Sequence, residues 1–457
     1  MAKRSRSALE QQLPTALQAV NLHAAGIDVG SEEHWVAVPA DADPHPVRPF
    51  PAHTAGLIAL AAWLAACGVT TVALESTGVY WIPLFELLES RGFEVILIDP
   101  GTMPRNGRPK TDIHDCQWIQ RLHTLGLLSA AFRPDDPVVV LRSYLRLRLT
   151  LLADAARYVQ HMQKALTQMN VKLQHVVSDL TGKTGLDIIQ AILDGVRDPL
   201  ALAKLRDCRC KEDEATIAQA LHGNWREEHL FALAQAVAAY HFCHRQIRDC
   251  DGRIEAGLRA LPASRPTAPL PERTKARRRN RNRPGFDPRP LLHRASGVDL
   301  TRIEGIDETT ALNVLGEIGL DMSRWATVKH FTSWLGLCPH HKISGGRVLS
   351  RRTRPTANRA AAALRLAAAS LHRSQSALGA FFRRLKSRKG TPKAITATAH
   401  KLARYIYTML KHGEEYVTRS LESYEQEHRE RQVRVLSRRA RELGYALVTA
   451  TGESESR

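Results

Sequence analysis

The stretch "HAAGIDVGSEEHWVAVPAD", residues 23–41, decides the fold of the first part of the chain. It runs as an apolar strand to Val29, turns at Gly30-Ser31 and returns as a second strand through residues 35–38. Working outward, "TAGLIALAAWLAACG" is an amphipathic helix stopped by Gly68. "VTTVALESTGVYW" is a buried strand running into a loop, "IPLFELLESRGF" a helix, and "EVILIDP" a strand stopped by Pro100. "KTDIHDCQWIQRLHTLG" then opens another helix. Two strands followed by alternating helix and strand predict a mixed sheet flanked by helices, an α/β domain over residues 23–140.

Four acids in this domain stand where a metal site would want them. Asp28 lies in the middle of an apolar strand, where a carboxylate is expensive to bury unpaired. Glu75 ends the strand "VALEST", and Asp112 and Asp115, three apart at a helix start, share one face. Four carboxylates repel one another unless cations sit among them. Hard oxygen ligands select Mg²⁺ or Mn²⁺, and two such ions about 3.5–4 Å apart clamp an in-line phosphoryl transfer. Taken singly the residues have plainer readings: Asp112 as a helix N-cap, Glu75 as a surface acid. The "GIDVG" turn is also shared with sugar kinases and related ATPases. A small-molecule kinase, however, needs neither the "KTDIHD" pair nor the basic segment described next.

The chain carries 65 Lys and Arg against 46 Asp and Glu, a net charge of +19. Residues 322–413 contain 19 Lys and Arg and no acid, so this segment accounts for the whole excess. A solvated face mixes both signs, and so long an acid-free segment points to a polyanion partner. Arg347, Arg351, Arg352, Arg354 and Arg359 are its candidate nucleic-acid contacts, joined by Arg277, Arg278 and Arg279 in the linker "TKARRRNRNRP". Within the segment, "ISGGRVLSRRTRPT" places Ser344 before two glycines. A turn residue, a phosphate cradle and a nucleophile all remain open there. The seven cysteines read as free thiols of a reducing compartment. Cys208 and Cys210, with His241, Cys243, His244 and Cys250, do not have zinc-site spacing. No apolar run reaches the roughly 18–20 residues of a membrane helix, and the opening residues read as a basic tail without the apolar core of a signal peptide. The expected location is cytoplasmic, at the nucleoid.

From about residue 141 the pattern becomes continuous helix. Leu145, Leu152, Val159, Leu166, Leu173 and Leu180 recur every seven residues, as in a coiled-coil arm; one long helix in a bundle is the alternative. A second helical stretch, beginning "EATIAQALHG", reads as a returning arm. "LTRIEGIDETTALNVLGEIG" has the look of a helix-hairpin-helix with Gly305 at its turn, an element whose amides meet phosphates. The expected organisation is a tail (1–22), the α/β domain (23–140), helical coiled-coil arms (141–262), a basic Pro/Arg-rich linker (263–296), a mainly α C-terminal domain (297–413) and a charged helical tail (414–457).

Taken in order, "GIDVG", "ALESTGVYW", "KTDIHDCQWI", "IEGIDETTALNVLGEIG", "FTSWLGLCP" and "ISGGRV" resemble the bacterial insertion-sequence transposases with an Asp-Glu-Asp-Asp domain, the bridge-RNA-guided recombinases, to which pilin-gene invertases are related. The resemblance covers residues 23–180 and 297–412. It implies a RuvC-like ribonuclease H fold for the first domain, with Asp28, Glu75, Asp112 and Asp115 as the metal-binding tetrad. It implies dimerisation through the helical arms, assembly as a tetramer, and Ser344 as a nucleophile that forms a 5′-phosphoserine. It also implies a structured noncoding bridge RNA that pairs with target and donor double-stranded DNA. A metal-dependent hydrolytic nuclease or Holliday-junction resolvase, without a covalent serine, is the other enzymatic reading, and Ser350 is a second nucleophile candidate. The sequence departs from the family pattern in its Arg-rich insertion near residues 264–294. It departs again in "RPTANRAAAALRLAA", where Pro355 and Ala357 flank Asn358 in place of a Lys-Gly-Asn group.

Overall fold

The computed structural model describes residues 20–103, 111–263, 270–272 and 282–447, in two compact units that divide between Arg133 and Pro134. Arg277, Arg278 and Arg279 lie outside the described residues, as does most of the 1–22 tail.

The first unit is built on a mixed sheet of five strands: β1 (Ala24–Val29), β2 (Glu33–Ala37), β3 (Val47–Pro51), β4 (Thr71–Glu75) and β5 (Glu94–Ile98), in the order β3-β2-β1-β4-β5. β1, β2 and β3 pair antiparallel, whereas β4 and β5 continue from β1 in parallel. Strand β3 is not apparent in the sequence because "VRPFP" contains two prolines. It sits at the sheet edge, where a residue without an N–H is tolerated.

Alternation along the strands separates two layers. Ala25, Ile27, Val29, Val72 and Leu74 pack against helices α1 (Thr54–Ala66) and α2 (Trp81–Ser90) through Leu57, Leu60, Leu64, Leu84 and Leu88. The opposite face presents Ala73 and Ile98 to Ile119 of helix α3 (Asp112–Thr124). Gly26 is on that face too. A Cβ there would collide with the backbone N of Gln120 and the carbonyl of Cys116. The missing side chain thus lets α3 lie directly on β1. His123 of α3 is buried with its Nε2 2.9 Å from Thr71 Oγ1, and burial pulls its pKa down.

The second unit begins with a long helical pair, α4 (Asp136–Gln168) and α9 (Glu227–Ala260). Arg148 bonds Asp251 while Leu141 approaches Gly257, so the two helices run antiparallel. The expected seven-residue seam ends at Leu166. Asn170, with φ of 59°, adopts the left-handed conformation just beyond α4. Leu173 and Leu180 lie past this break, packed with α5 (Leu173–Val176), α6 (Lys183–Leu193), α7 (Pro199–Ala203) and α8 (Glu214–Ala220) at one end of the pair. The inner face of α4 is therefore occupied by the chain's own α9. Cys243 and Cys250 are buried along α9, whereas Cys208 is exposed.

Arg148 and Asp251 form a buried pair with a 2.6 Å contact. Arg148 also donates to the Asn282 carbonyl, and Asp251 accepts from the Gly285 amide. Removing one partner of such a pair costs about 3–5 kcal/mol, because the other is left buried and uncompensated. The remaining helices are α10 (Pro288–Ser296), α11 (Glu308–Ile318), α12 (Val328–Trp334), α13 (Arg359–Ser370), α14 (Ala377–Lys389), α15 (Thr391–His412) and α16 (Glu414–Glu442). The arginine fork of Arg146 holds Glu317, at the end of α11, at 2.7 and 2.9 Å. α15 is the centre of this part, packing against α12, α13 and α14. In the stretch expected to be a helix-hairpin-helix, the part ahead of Gly305 is a single 3₁₀ turn, Leu300–Arg302, capped by Asp299 and preceded by α10, which ends at Ser296; α11 follows with Asp307 as its cap.

Gly26→Ala is expected to destabilise the first unit by about 3 kcal/mol, since overpacking against rigid backbone cannot be relieved by a rotamer change. Urea denaturation measures it; a midpoint unchanged from wild type would contradict the close approach of α3 to β1.

Candidate metal centre and nucleic-acid interface

Strand alternation puts Asp28, two residues after Gly26, on the face that receives α3. The parallel register pairs Gly26 with Ala73 and Ile27 with Leu74. One step further sets Asp28 beside Glu75, which is on the same face as Ala73. Both acids are half-buried, and Glu75 Oε1 accepts a 2.8 Å hydrogen bond from Thr77 Oγ1.

Helix α3 begins at this end of the sheet. Thr111 is its N-cap, accepting from the His114 amide at 3.3 Å, so Asp112 is the first helical residue and is not the cap. Asp112 and Asp115 occupy the first turn, where the helix dipole favours negative charge. Cys116, next to Asp115, reports how the groups converge. Burial, then the carboxylate of Asp28 and more weakly that of Asp115, push its thiol up to about 12. The four acids thus reach one face of the sheet from two strands and one helix end. Among the described residues, no three acid, histidine or cysteine side chains are grouped closely enough to hold an ion. The donor chemistry and the common face suit a divalent cation; the side-chain positions do not close around one.

In the second unit the stretch around Ser344 is a β-ribbon: β6 (Lys342–Ser344) pairs antiparallel with β7 (Arg347–Ser350). Gly345 and Gly346 form the two-residue turn with φ of 53° and 73°, the left-handed pair that tight hairpins require. A Gly-Gly dipeptide between two β-prone pairs was the signal for it. Ser344 is exposed and sits directly across from Arg347. The pairing extends beyond the strands, with a Pro339–Thr353 bridge and the His340 amide donating to Arg352 O. Ser350 is half-buried, and its Oγ accepts from the Arg352 amide. Arg347, Arg351, Arg352, Arg354 and Arg359 are all exposed. Asn358 caps α13, accepting from the Ala361 amide at 3.0 Å.

One further group was not singled out from the sequence. Lys401 of α15 lies 5.0 Å from the Phe381 ring and 5.9 Å from that of Tyr405, and Arg384 lies 5.8 Å from the Phe381 ring. Burial, reinforced by Arg404 and Arg384, brings its ammonium down to about 8. Residues twenty positions apart on successive helices meet here, a proximity that no local pattern encodes.

A mixed sheet with flanking helices and four acids on one face is consistent with a ribonuclease H-like DEDD domain, and the second unit is mostly helical. Comparison with known families agrees. Residues 25–171 match the transposase model of the IS110-type DEDD domain, and residues 299–383 match the model described as "Transposase IS116/IS110/IS902 family". The chain belongs to this transposase family. Among curated proteins it is similar to the "Transposase for insertion sequence element IS1533" of Leptospira borgpetersenii, at 36% identity over 101 residues. That alignment covers 21% of this chain and 29% of the relative. No helix among the described residues is long and apolar enough to cross a membrane.

Proposed function

We propose that this protein is a DNA transposase that cuts and exchanges strands through a covalent phosphoserine at Ser344. The observation that carries the reading is the setting of that serine. It is exposed beside a Gly-Gly turn, opposite an arginine, in a segment of 92 residues with no acid. Ser350, by contrast, spends its oxygen on the Arg352 amide.

In this reading Ser344 Oγ attacks the scissile phosphorus. The Oγ–P bond forms as the P–O3′ bond breaks, and the 3′-oxygen leaves and takes up a proton. The protein is then linked to the 5′-phosphate. Attack by a 3′-hydroxyl from another strand reverses the step and frees the serine, so rejoining needs no nucleotide hydrolysis. Arg347, across the ribbon, neutralises the phosphate, while Arg351, Arg352, Arg354 and Arg359 hold the backbone. Asp28, Glu75, Asp112 and Asp115 would hold Mg²⁺ or Mn²⁺, which when bound stabilises charge on the phosphoryl oxygens. The ordered motifs extend the proposal to action at the nucleoid, assembly as a dimer or tetramer, and guidance by a structured noncoding RNA pairing with target and donor DNA. The basic segment, with more positive charge than one short duplex contact needs, supports an additional nucleic-acid partner.

Incubation with DNA containing the element's ends is expected to give a protein–DNA adduct that survives denaturation and is absent in Ser344→Ala. An adduct that persists in Ser344→Ala but disappears in Ser350→Ala would move the nucleophile. Free 5′-phosphate ends without any adduct would make the enzyme a hydrolytic nuclease.

RNA guidance is tested separately, by sequencing RNA retained through purification. One discrete species from the element's flank is expected; unselected cellular RNA would contradict guidance.

A further inference from the structure

The ribbon of β6 and β7 has two unlike faces. Ser344 and Arg347 are cross-strand partners, as are Ile343 and Val348. Partners in an antiparallel pair point to the same side and successive residues to opposite sides. Ser344 and Arg347 therefore share one face, and Ile343 and Val348 the other. The second face is apolar and bare: Ile343 is 62% exposed and Val348 40%. The turn is clear of the rest of the chain, since a Cβ placed on Gly345 or Gly346 would meet no described atom within 4 Å.

Two occupants suit an exposed aliphatic face: a second copy of the chain or the interior of a nucleic-acid duplex. Charge decides between them. Lys342, Arg347, Arg351 and Arg352 are exposed on the ribbon or next to it, and no acid occurs in residues 322–413. Two copies of the ribbon would bring like charges together, whereas the same cations complement phosphate backbones on either side of a groove. A two-stranded ribbon fits a DNA groove, and aliphatic side chains delivered there insert between base steps and unstack them.

We propose that Ile343 and Val348 form a wedge that opens a base step of duplex DNA while the opposite face carries Ser344. This rests on reading the basic segment as a nucleic-acid surface, but not on Ser344 being a nucleophile. The wedge is a strand-opening element, not a catalytic one.

The test is binding of the full-length protein, by fluorescence anisotropy, to a fully paired DNA duplex and to the same duplex with a central two-base mismatch. The mismatch is already unstacked, so it is expected to bind roughly tenfold tighter. Combined Ile343→Thr and Val348→Thr substitution keeps the β-branched shape that strands favour and is expected to reduce the preference to about twofold, with the salt dependence unchanged. Ile343→Val keeps the preference. Equal wild-type affinity for the two duplexes overturns the wedge, as does a preference that survives the double substitution; either leaves the transposase reading standing. Loss of self-association in the double variant, with mismatch preference intact, assigns the face to a second copy. Absence of salt-dependent binding to both duplexes removes the nucleic-acid reading and the wedge with it.

Discussion

Helix α3 lies against β1 at a distance that only a glycine permits, and the candidate metal face depends on that contact. Gly26 brings the backbone of Cys116 and Gln120 down onto the strand. The same approach carries the first turn of α3, with Asp112 and Asp115, to the end of the sheet where Asp28 and Glu75 emerge. A larger residue at position 26 would lift the helix, separating its acids from those of the strands. The arrangement places like charges on one side of the sheet, which is costly unless cations or donors compensate. Thr77 supplies one such donor to Glu75, and the helix dipole favours the two α3 acids. The apolar layer on the opposite side, filled by α1 and α2, provides the burial that stabilises the unit against this repulsion.

The second unit solves a different problem, that of carrying a large positive charge without self-repulsion melting it. Three of its acids are held by arginines. Asp251 is bound by Arg148 and Asp299 by Arg289, while Glu317 is gripped by Arg146. The Arg289 partner holds the Asp299 carboxyl below its ordinary range despite burial. These pairs join α4, α9, α10, α11 and the turns between them. In the acid-free stretch the ribbon arginines Arg347, Arg351 and Arg352 are exposed, whereas Lys401 of α15 is half-buried. The three ion pairs thus draw on arginines outside that stretch.

Much of this was legible in the sequence where a local pattern had one physical cause. The apolar strand around Asp28, the helix α1 ending before Gly68 and the acid-bearing start of α3 all follow from local pattern and capping. So did the location of the net charge. Elements that depend on tertiary context were not legible. "VRPFP" forms a strand only because it is an edge. The seven-residue repeat runs through Asn170 in the sequence, but the left-handed turn there ends the helix and sends Leu173 and Leu180 into a different cluster. Gly305 marks a turn, as read, yet the residues just ahead of it form a single 3₁₀ turn. The burial of Arg148 depends on Asp251, 103 residues away, which no local pattern encodes. The Gly-Gly turn was visible, but not that both flanking strands would stay exposed.

We propose that the four acids of the first unit support the chemistry proposed for Ser344. This support is tested most directly in Asp28→Asn and Glu75→Gln chains, by two readouts on the same preparations: the Mn²⁺-induced rise in melting temperature and the yield of denaturation-resistant DNA adduct. A site-bound ion at a hundred times its dissociation constant stabilises by about 2.7 kcal/mol, a shift of several degrees in the wild-type protein. Both substitutions are expected to abolish the shift and reduce the adduct at least a hundredfold while leaving duplex binding intact. Full adduct yield in chains that no longer respond to Mn²⁺ would contradict the proposal.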